Sequence, residues 1–476
     1  MRIFDTNVQK LKYDVLREVA RHAYEDTLQD AYLDIPKTIA PGPEPTMRCC
    51  VYKERAIAAE RVKLAMGGEK GDRNIIKIID IACDECPVST YRVTEDCRGC
   101  LAHRCEAACP RGAISFDRTL KAHIDPAKCV ECGRCASVCP YNAISSRKRP
   151  CEVACKVHAI HMDERKIAKI DEEKCTSCGA CVYMCPFGAP VDKSFILDAI
   201  RMLREATEQD GPRVYGVVAP SIVSQFRYAK VGQVITAMKK MGFFSVVEAA
   251  MGADMVAWHE AQELAEKGFL TSSCCPAFVH YVQTEFPKLK DHISSNLSPM
   301  AMIAKYVKES DPGCKIIFVG PCTAKKAEIQ RETVKPYVDC VLTFEELQAL
   351  IDSRDIDLSQ LEEDVLDNAS YYGRIFARSG GLSDAVAEGL KERGIDFNLQ
   401  AVPCDGIEAC RAALLKASKN VLKGNFIEGM ACVGGCIGGA GCLTHGEKNK
   451  ADVDKYGMEA YEKSIEQAIS LVKPKE

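Results

Sequence analysis

From about residue 210 onward, short apolar runs alternate with stretches whose apolar residues recur at helical spacing. The runs at 213–221, 242–250 and 314–322 have the composition of buried strands, and the first and third end at a proline turn. A strand followed directly by a helix is predicted at 339–351, and residues 254–268 predict a helix that ends at Gly268. This alternation predicts an α/β domain.

Two turns in this region are candidate site positions. The turns at 219–221 and 320–322 lie just past predicted strand ends, where open α/β sheets commonly place their sites. A helix start is also predicted nearby, because Thr343 and Glu346 have the spacing of a capping box.

The pattern changes twice along the chain, which predicts three regions. Residues 1–80 predict mostly helical structure of unknown role, with a proline-rich break at 41–45. Residues 81–195 contain most of the cysteines, and the α/β pattern belongs to residues 205–476.

Composition alters this picture mainly through cysteine, at 28 of 476 residues. The N-terminus has no apolar segment typical of a signal peptide, and no run of about 18 apolar residues predicts a membrane span. A cytoplasmic protein is therefore expected, in which dense cysteine indicates thiolate metal ligands rather than disulfides. The net charge of −4 gives no reason to expect a nucleic acid or membrane partner, and the basic run at 145–150 is expected to be a solvated loop.

The cysteine spacing predicts iron–sulfur clusters. Residues 129–140 and 175–186 both have the spacing C-x2-C-x2-C-x3-C-P of bacterial ferredoxins, and residues 97–110 have a variant with one longer gap. Zinc is disfavoured because structural zinc sites favour paired C-x2-C knuckles. Since "CEAACPRGAI" (105–114) resembles "CEVACKVHAI" (151–160), two tandem ferredoxin-like units with three to four [4Fe–4S] clusters are expected.

In such a run the fourth cysteine ligates the neighbouring cluster, which predicts four groups of thiolates. The groups are Cys97, Cys100, Cys105 and Cys139; Cys109, Cys129, Cys132 and Cys135; Cys155, Cys175, Cys178 and Cys181; and Cys83, Cys86, Cys151 and Cys185. The last group is the weakest, because Cys83 and Cys86 enter it only as the unassigned pair nearby. Alternatively, this pair forms a separate four-thiolate site with Cys97 and Cys100.

Three further motifs occur in order: "TSSCCPAF" (271–278), "GPCTAKKAE" (320–328) and "EGMACVGGCIGGAGC" (428–442). Together they resemble the signature motifs of the [FeFe]-hydrogenase catalytic domain, over about residues 210–440. The chain departs from the usual family pattern at Gly320, at 277–278, at 296–297 and in "GGAGC", which suggests a divergent clostridial-type branch. The departures spare the cluster ligands and alter their surroundings, which tune such sites.

The resemblance implies an α/β (α+β) catalytic domain of two lobes around an H-cluster, preceded by ferredoxin-like domains. In this family the H-cluster is a [4Fe–4S] cubane bridged to a diiron subsite that carries CO, CN⁻ and an azadithiolate. The residues so implied are Cys275, Cys322, Cys432 and Cys436 as cubane ligands, with Cys436 bridging to the diiron unit; Lys325 and the turn Ala219, Pro220 and Ser221 as donors to cyanide; and Met430 as a packing residue. The five glycines of 431–442 are expected to let this loop wrap the cluster.

The resemblance also implies a proton relay of Cys274, Glu260, Ser294 and Glu263. The implied reaction is 2H⁺ + 2e⁻ ⇌ H₂, with electrons exchanged with ferredoxin or a similar low-potential carrier. Maturation proteins would deliver the diiron subsite, whose oxygen sensitivity indicates an anaerobic setting.

Two alternatives are a hydrogen-sensing homologue and an iron–sulfur assembly or scaffold protein without the diiron site. The sensor is disfavoured because no segment has the length of an output domain. The assembly protein is disfavoured because Lys325, Cys274 and Met430 are all present. Five further cysteines are expected to be buried free thiols: Cys314, Cys340, Cys404, Cys410 and Cys442.

Overall fold

Two separate parallel sheets organise the C-terminal region of the computed structural model, which describes residues 4–87 and 90–470. The strands are β9 Val214–Val218, β10 Ser245–Glu248, β11 Leu270–Thr271, β12 Lys315–Gly320, β13 Cys340–Thr343, β14 Ala401–Asp405 and β15 Phe426–Met430. One sheet has the order β10-β9-β12-β13 and the other the order β11-β15-β14, with every pair parallel. The expected two-lobed α/β domain is therefore confirmed.

Helices cover both sheets and connect their strands. They are α9 Ile196–Glu205, α10 Val231–Lys240, α11 Ala249–Lys267, α12 Pro276–Glu285, α13 Pro299–Ser310, α14 Ala324–Glu328, α15 Phe344–Ser353, α16 Tyr371–Ile375, α17 Gly381–Glu392, α18 Ile407–Ser418, α19 Asn449–Met458 and α20 Ile465–Ile469. Short 3-10 helices occur at Pro220–Ser224, Pro287–His292, Leu358–Gln360 and Cys436–Gly438. The predicted capping box is present, because Thr343 Oγ accepts from the Glu346 backbone N–H and the Glu346 carboxylate accepts from that of Thr343.

Strand ends place the predicted turns at one edge of the first sheet. β9 and β12 are central neighbours, with Val218 opposite Val319, and both residues are fully buried. Each strand leads into a proline, Pro220 or Pro321, so the two turns lie side by side. α11 ends at Gly268 as predicted, with φ +73°, but it starts at Ala249, five residues before the predicted start.

The N-terminal region is mostly helical, as predicted, with helices on both sides of the proline-rich break. Its elements are α1 Asn7–Tyr24, α2 Leu28–Ala31, α3 Ile35–Ile39, α4 Val51–Ala65 and β1 Ile76–Ile78. The strand β1 was not predicted. It pairs antiparallel with a strand at Pro190–Asp192, so the boundary at residue 80 divides a sheet.

The cysteine-rich region consists of short strands and single helical turns. They are β2 Tyr91–Val93, β3 Ile114–Phe116, β4 Ala122–Ile124, β5 Ile144–Ser146, β6 Ile160–Met162, β7 Ala168–Ile170 and β8 Pro190–Asp192, with α5 Arg104–Ala107, α6 Arg134–Ser137, α7 Pro150–Ala154, α8 Ala180–Met184 and a 3-10 turn at Asp80–Ala82. β2 pairs with β5 and β3 with β4, whereas β6 pairs with β7 and β8 with β1.

This pairing makes the two ferredoxin-like units nested rather than tandem. The first unit, residues 90–148, closes its own sheets. The second unit joins residues 76–86 to residues 149–192, on either side of the first. The first unit is thus an insertion within the second, which corrects the tandem order expected from the repeat.

A buried ion-pair network ties the three regions together. Lys12 on α1 pairs with Asp192 at the end of the cysteine-rich region and, at 2.6 Å, with Glu345 on α15. Lys326, which is fully buried, pairs at 2.9 Å with both Asp192 and Glu346. The N-terminal helices therefore brace the other two regions.

The N-terminal segment also reaches the cysteine-rich loop at 431–442. The Gln9 side-chain amide donates to the Cys442 carbonyl at 2.7 Å, and Asp5 accepts from the His445 backbone N–H at 2.9 Å. No described helix is both long enough and apolar enough to cross a membrane.

We expect Lys12→Met to lower the free energy of unfolding by about 3–5 kcal/mol, because removing one partner leaves Glu345 buried without its cation. The matched control on the same helix is Lys10→Met, which removes an exposed i,i+4 pair with Asp14 and should cost about 0.3–0.5 kcal/mol. Urea unfolding of anaerobically purified protein measures both. Equal losses in the two variants would contradict a bracing role for the network.

Candidate functional site

Loops from both sheets converge on one group of thiols. Cys275 follows β11 and caps α12, Cys322 follows β12, and Cys432 follows β15. Cys436 begins the short 3-10 helix that comes next. The two lobes therefore each contribute cysteines to the same place.

The shifted pKa values of these thiols report their mutual proximity. Burial, together with the neighbouring thiols of Cys275 and Cys436, raises the pKa of Cys322 to about 12. Burial likewise raises the pKa of Cys432, to which Cys322, Cys178 and Cys275 also contribute. Metals bind thiolates, so these protonated thiols would release their protons when they bind metal.

A cavity of about 100 Å³ lies beside the four cysteines, between the two lobes. Its lining includes Ala219, Pro220, Ser221, Cys274, Cys275, Cys322, Lys325, Met430, Cys432 and Cys436. Every residue that the resemblance assigned to the diiron environment thus borders one space. The lining is otherwise apolar, with prolines, alanines and Phe318.

Polar groups in this cavity fit an anionic guest. The Ser221 hydroxyl is fully buried and has no hydrogen-bond partner. Lys325 is also buried, and its Nζ contacts the Cys274 carbonyl at 3.3 Å and Glu328 at 2.6 Å. A buried polar group without a partner is costly, so Ser221 fits a site whose guest accepts a hydrogen bond. The donor set and cavity thus fit an H-cluster with cyanide ligands.

The glycines of 431–442 allow close packing of the loop, and Gly435 and Gly439 also border the cavity. A Cβ on Gly438 would lie 2.1 Å from the Val433 carbonyl oxygen, and one on Gly439 would lie 2.5 Å from that of Pro321. Gly435 has φ +91°, a conformation that L side chains rarely adopt. These glycines let the loop pack against its own backbone and the 320–322 turn, which positions Cys436.

A chain of polar side chains leads from Cys274 away from the cavity. Glu260 is fully buried, and its Oε1 accepts from the Ser273 backbone N–H at 3.4 Å, while its Oε2 has no partner. Burial raises the pKa of Glu260 to about 8, which the nearby Ser294 and Ser273 partly oppose. The pKa of Cys274 is raised mainly by burial, and Glu260 makes the next largest contribution.

The chain continues through a serine to a second carboxylate. The Ser294 hydroxyl donates to Glu263 Oε2 at 2.8 Å. Lys267 pairs with Glu263 at 2.7 Å, and its side chain is 40% exposed. Although burial opposes it, the bonds from Lys267 and Ser295 lower the pKa of Glu263. The two glutamates therefore differ in their affinity for a proton, and the path ends near solvent.

Sequence reasoning missed two residues here. Asn296 was noted only as a departure from the family, yet its side-chain amide donates to both Glu263 and Ser294. Lys267 lies four residues after Glu263 on a predicted helix, so helical spacing offered a signal for this pair.

Further groups of neighbouring thiols occur in the nested units. Burial raises the pKa of Cys151 to about 12, with the thiols of Cys185, Cys83 and Cys86 contributing next. This fourth group was the uncertain one, and its members lie together. The structure does not place Cys83 and Cys86 with Cys97 and Cys100, as the alternative grouping requires.

The remaining three groups follow the same logic. Burial raises the pKa of Cys105, to which Cys100 and Cys139 add, and it raises that of Cys135, to which Cys129 and Cys109 add. Cys109, Cys129, Cys132 and Cys135 also line one small cavity. Cys181 has Cys178, Cys175 and Cys155 as its nearest thiol neighbours.

These groups form a series that ends at the cavity. Cys178 lies close enough to Cys275 for that thiol to raise the pKa of Cys178. Cys178 in turn helps to raise the pKa of Cys432. Cys181 is similarly a neighbour of Cys151, which belongs to the next group outward. Among residues 4–87 and 90–470, no three His, Cys, Asp or Glu side chains are placed to hold a single metal ion.

Comparison with known proteins agrees with this geometry. Residues 212–440 match the sequence model of the family described as "Iron only hydrogenase large subunit, C-terminal domain". Residues 212–440 thus belong to the iron-only hydrogenase family. Residues 96–143 and 149–189 each match the 4Fe-4S dicluster domain, so [4Fe–4S] binding accompanies the hydrogenase domain.

Individual relatives differ in function. Iron hydrogenase 1 of Clostridium pasteurianum is 27% identical over 282 residues, covering 49% of this chain and 49% of its own length. The cytosolic Fe-S cluster assembly factor NAR1 of Kluyveromyces lactis is 36% identical over 91 residues, covering 19% of each chain. A solved [FeFe]-hydrogenase structure has a TM-score of 0.50 at 19% identity, covering 59% of this chain and 93% of its own, and supports the fold alone. The chain thus spans about half the length of the curated hydrogenase it matches.

The other cysteines lie outside these groups. Cys314, Cys340, Cys404, Cys410 and Cys442 are all buried, as expected. All 28 cysteines are free thiols in the structure.

We expect Cys151→Ser to remove about four irons per chain, because it takes a ligand from one four-iron group. The exposed Cys49, outside every group, supplies the control Cys49→Ser, which should retain full iron content. Iron analysis and electron paramagnetic resonance of the reduced protein measure the loss. If Cys97→Ser abolished the same resonance as Cys151→Ser, the grouping described above would be wrong.

Proposed function

We propose that the chain catalyses 2H⁺ + 2e⁻ ⇌ H₂ at an H-cluster held by Cys275, Cys322, Cys432 and Cys436. The observation that carries this proposal is the cavity between the lobes, where these four cysteines border the same space as Ser221, Lys325 and Met430. When bound, the cluster would supply the redox-active metal centre at which protons and electrons are interconverted with H₂.

The chain's own residues hold and orient that group. The buried Ser221 hydroxyl and the Lys325 ammonium would donate hydrogen bonds to its anionic ligands. Met430 is 3% exposed and, with the prolines and alanines of the lining, keeps bulk water from the site. Apolar surroundings strengthen these donor interactions.

Protons would move through the residues behind Cys274. Glu260, with its pKa raised to about 8 by burial, is protonated at neutral pH and can donate. Ser294 bridges to Glu263, whose lower pKa and Lys267 partner suit exchange with solvent. Asn296 and Ser295 fix the orientation of that carboxylate.

Electrons would pass through the nested units between a ferredoxin, or a similar low-potential carrier, and the H-cluster. Four [4Fe–4S] clusters, one for each thiol group, are the count that the sixteen cysteines of 83–185 support. Maturation proteins would deliver the diiron subsite. Cysteines used as cluster ligands rather than in disulfides suit the cytoplasm of an anaerobe.

A second candidate is an iron–sulfur assembly protein with a cubane and no diiron site. It is favoured by the similarity to NAR1-type relatives. The Ser221 hydroxyl without a partner and the buried Lys325 both line the cavity. They favour the hydrogenase, because an assembly protein without a diiron site has no need of donors to cyanide.

Infrared spectroscopy of the matured protein under H₂ and then argon tests the proposal. We expect CO and CN⁻ bands that shift between the two gases. Matured protein without such bands would instead support the assembly protein. Bands accompanied by very slow turnover would support a hydrogen sensor.

We expect Glu260→Gln to lower H₂ turnover by about 10²–10⁴-fold, the usual contribution of a positioned proton donor. Its infrared bands should persist, since the residue does not border the cavity. Wild-type proton reduction should decline as pH rises through about 8, where Glu260 loses its proton. The control is Glu266→Gln, an exposed residue on the same helix. Full turnover in Glu260→Gln would exclude this relay.

A further inference from the structure

A second cavity, of about 380 Å³, lies where the three regions of the chain meet. Its walls come from the segment before β1, from the loop of the second nested unit that holds Cys175, and from α12 and α14 with the residues that follow α14. Among the described residues, Pro276 alone borders both this cavity and the one beside Ser221. The volume falls within the range of small-molecule sites, about 300–1,000 Å³. The junction of the three regions therefore has room for a ligand.

Two guanidinium groups line this cavity without a carboxylate partner. Arg73 and Arg331 both border it, and neither forms an ion pair within residues 4–87 and 90–470. Arg73 is exposed, whereas Arg331 is half-buried and its Nη2 donates to the Pro276 carbonyl at 3.3 Å. Glu332 is the one carboxylate among the described lining residues, but its side chain is 83% exposed and lies 3.8 Å from Lys335. The cavity thus has positive charge that the described residues do not neutralise.

Neutral hydrogen-bond donors complete the lining. Asn74 and Gln330 contribute side-chain amides, and Ser177 contributes a hydroxyl. The Ser177 carbonyl accepts from Thr323 Oγ1 at 2.7 Å, which fixes this loop against the catalytic region. His280 also borders the cavity; burial lowers its pKa, and the nearby Arg331 cation adds to that effect. Charged and neutral donors therefore surround the same space.

We propose that this cavity binds a small molecule that carries more than one phosphate group. A phosphate group presents several strong acceptor oxygens, and its geometry matches the fork of an arginine side chain. Two such groups would neutralise Arg73 and Arg331 and accept hydrogen bonds from the amides of Asn74 and Gln330. A monocarboxylate would leave one of the two guanidinium groups unpaired.

A phosphate bound here would lie beside the thiol group that is nearest the four cysteines of the catalytic region. Cys175 borders the cavity directly, and Thr176, which also borders it, lies near Cys178. Added negative charge opposes the addition of an electron to an iron–sulfur cluster at this place. The ligand would therefore hinder electron transfer through the group of Cys155, Cys175, Cys178 and Cys181. Binding itself does not depend on H₂ chemistry.

The test uses the protein loaded with its iron–sulfur clusters, and pyrophosphate is the probe. Calorimetry measures binding at an ionic strength that sodium chloride keeps constant. We expect Arg73→Gln to weaken pyrophosphate binding by about tenfold or more, because a charge-assisted hydrogen bond is lost. Arg73 is exposed, so the iron content should stay unchanged. Arg331→Gln should weaken binding to a similar degree.

Lys70→Gln is the matched control, because it removes one exposed cation from the same segment without bordering the cavity. It should leave pyrophosphate binding intact. Equal weakening by this control, or unchanged binding in both arginine variants, would overturn the site. A wild-type protein that binds malonate more tightly than pyrophosphate would also overturn the assignment to a phosphate ligand.

A redox titration followed by electron paramagnetic resonance tests the effect on the cluster. We expect pyrophosphate to make the midpoint potential of one [4Fe–4S] signal more negative in the wild type, and to do so much less in Arg73→Gln at the same concentration. An absent shift at saturating pyrophosphate, or an equal shift in the variant, would overturn the link to the cluster. Both measurements are independent of H₂ turnover, so a failure of the proposed function, seen as absent CO and CN⁻ bands, is distinguished from a failure of this site.

Discussion

The convergence of four thiols on one cavity is the constraint on which the rest of this structure depends. Cys275 and Cys432 follow strands of one sheet, and Cys322 follows a strand of the other. A single cluster therefore requires both sheets to end at the same place. The glycine-rich loop, the proline turns and the buried ion pairs around Lys326 all help to hold these strand ends close together.

Burial governs the chemistry of this place as much as geometry does. Burial raises the pKa of the thiols and of Glu260. Although burial also acts on Glu263, the bond from Lys267 lowers the pKa of that carboxyl group. The pKa values of two carboxyl groups one helical turn apart are thus shifted in opposite directions. Such a difference in pKa decides which of the two carboxyl groups holds the proton, and it needs no conformational change.

The sequence predicted the α/β region and the site motifs well, because strands that end in proline turns have strong local signals. Spacing also predicted three groups of thiols, whereas Cys83 and Cys86 entered the fourth only as the pair left over. The nesting of the two units was not, since strand β1 is three residues long and its partner β8 lies more than a hundred residues away. The contacts of Gly438 with Val433 and of Gly439 with Pro321 could not be predicted either, because they depend on the tertiary fold.

Nesting also sets the order in which the protein can be assembled. Cys83 and Cys86 leave the ribosome early but meet Cys151 and Cys185 only after the whole inserted unit has been made. This group of thiols is therefore the last to be completed during synthesis, although it contains the first cysteines of the block. Closing such a loop costs little more than closing a shorter one, about 0.6 kcal/mol for each doubling of length. An inserted unit that folds by itself shortens the effective loop further, so the chain gains an outer redox module without weakening the inner one.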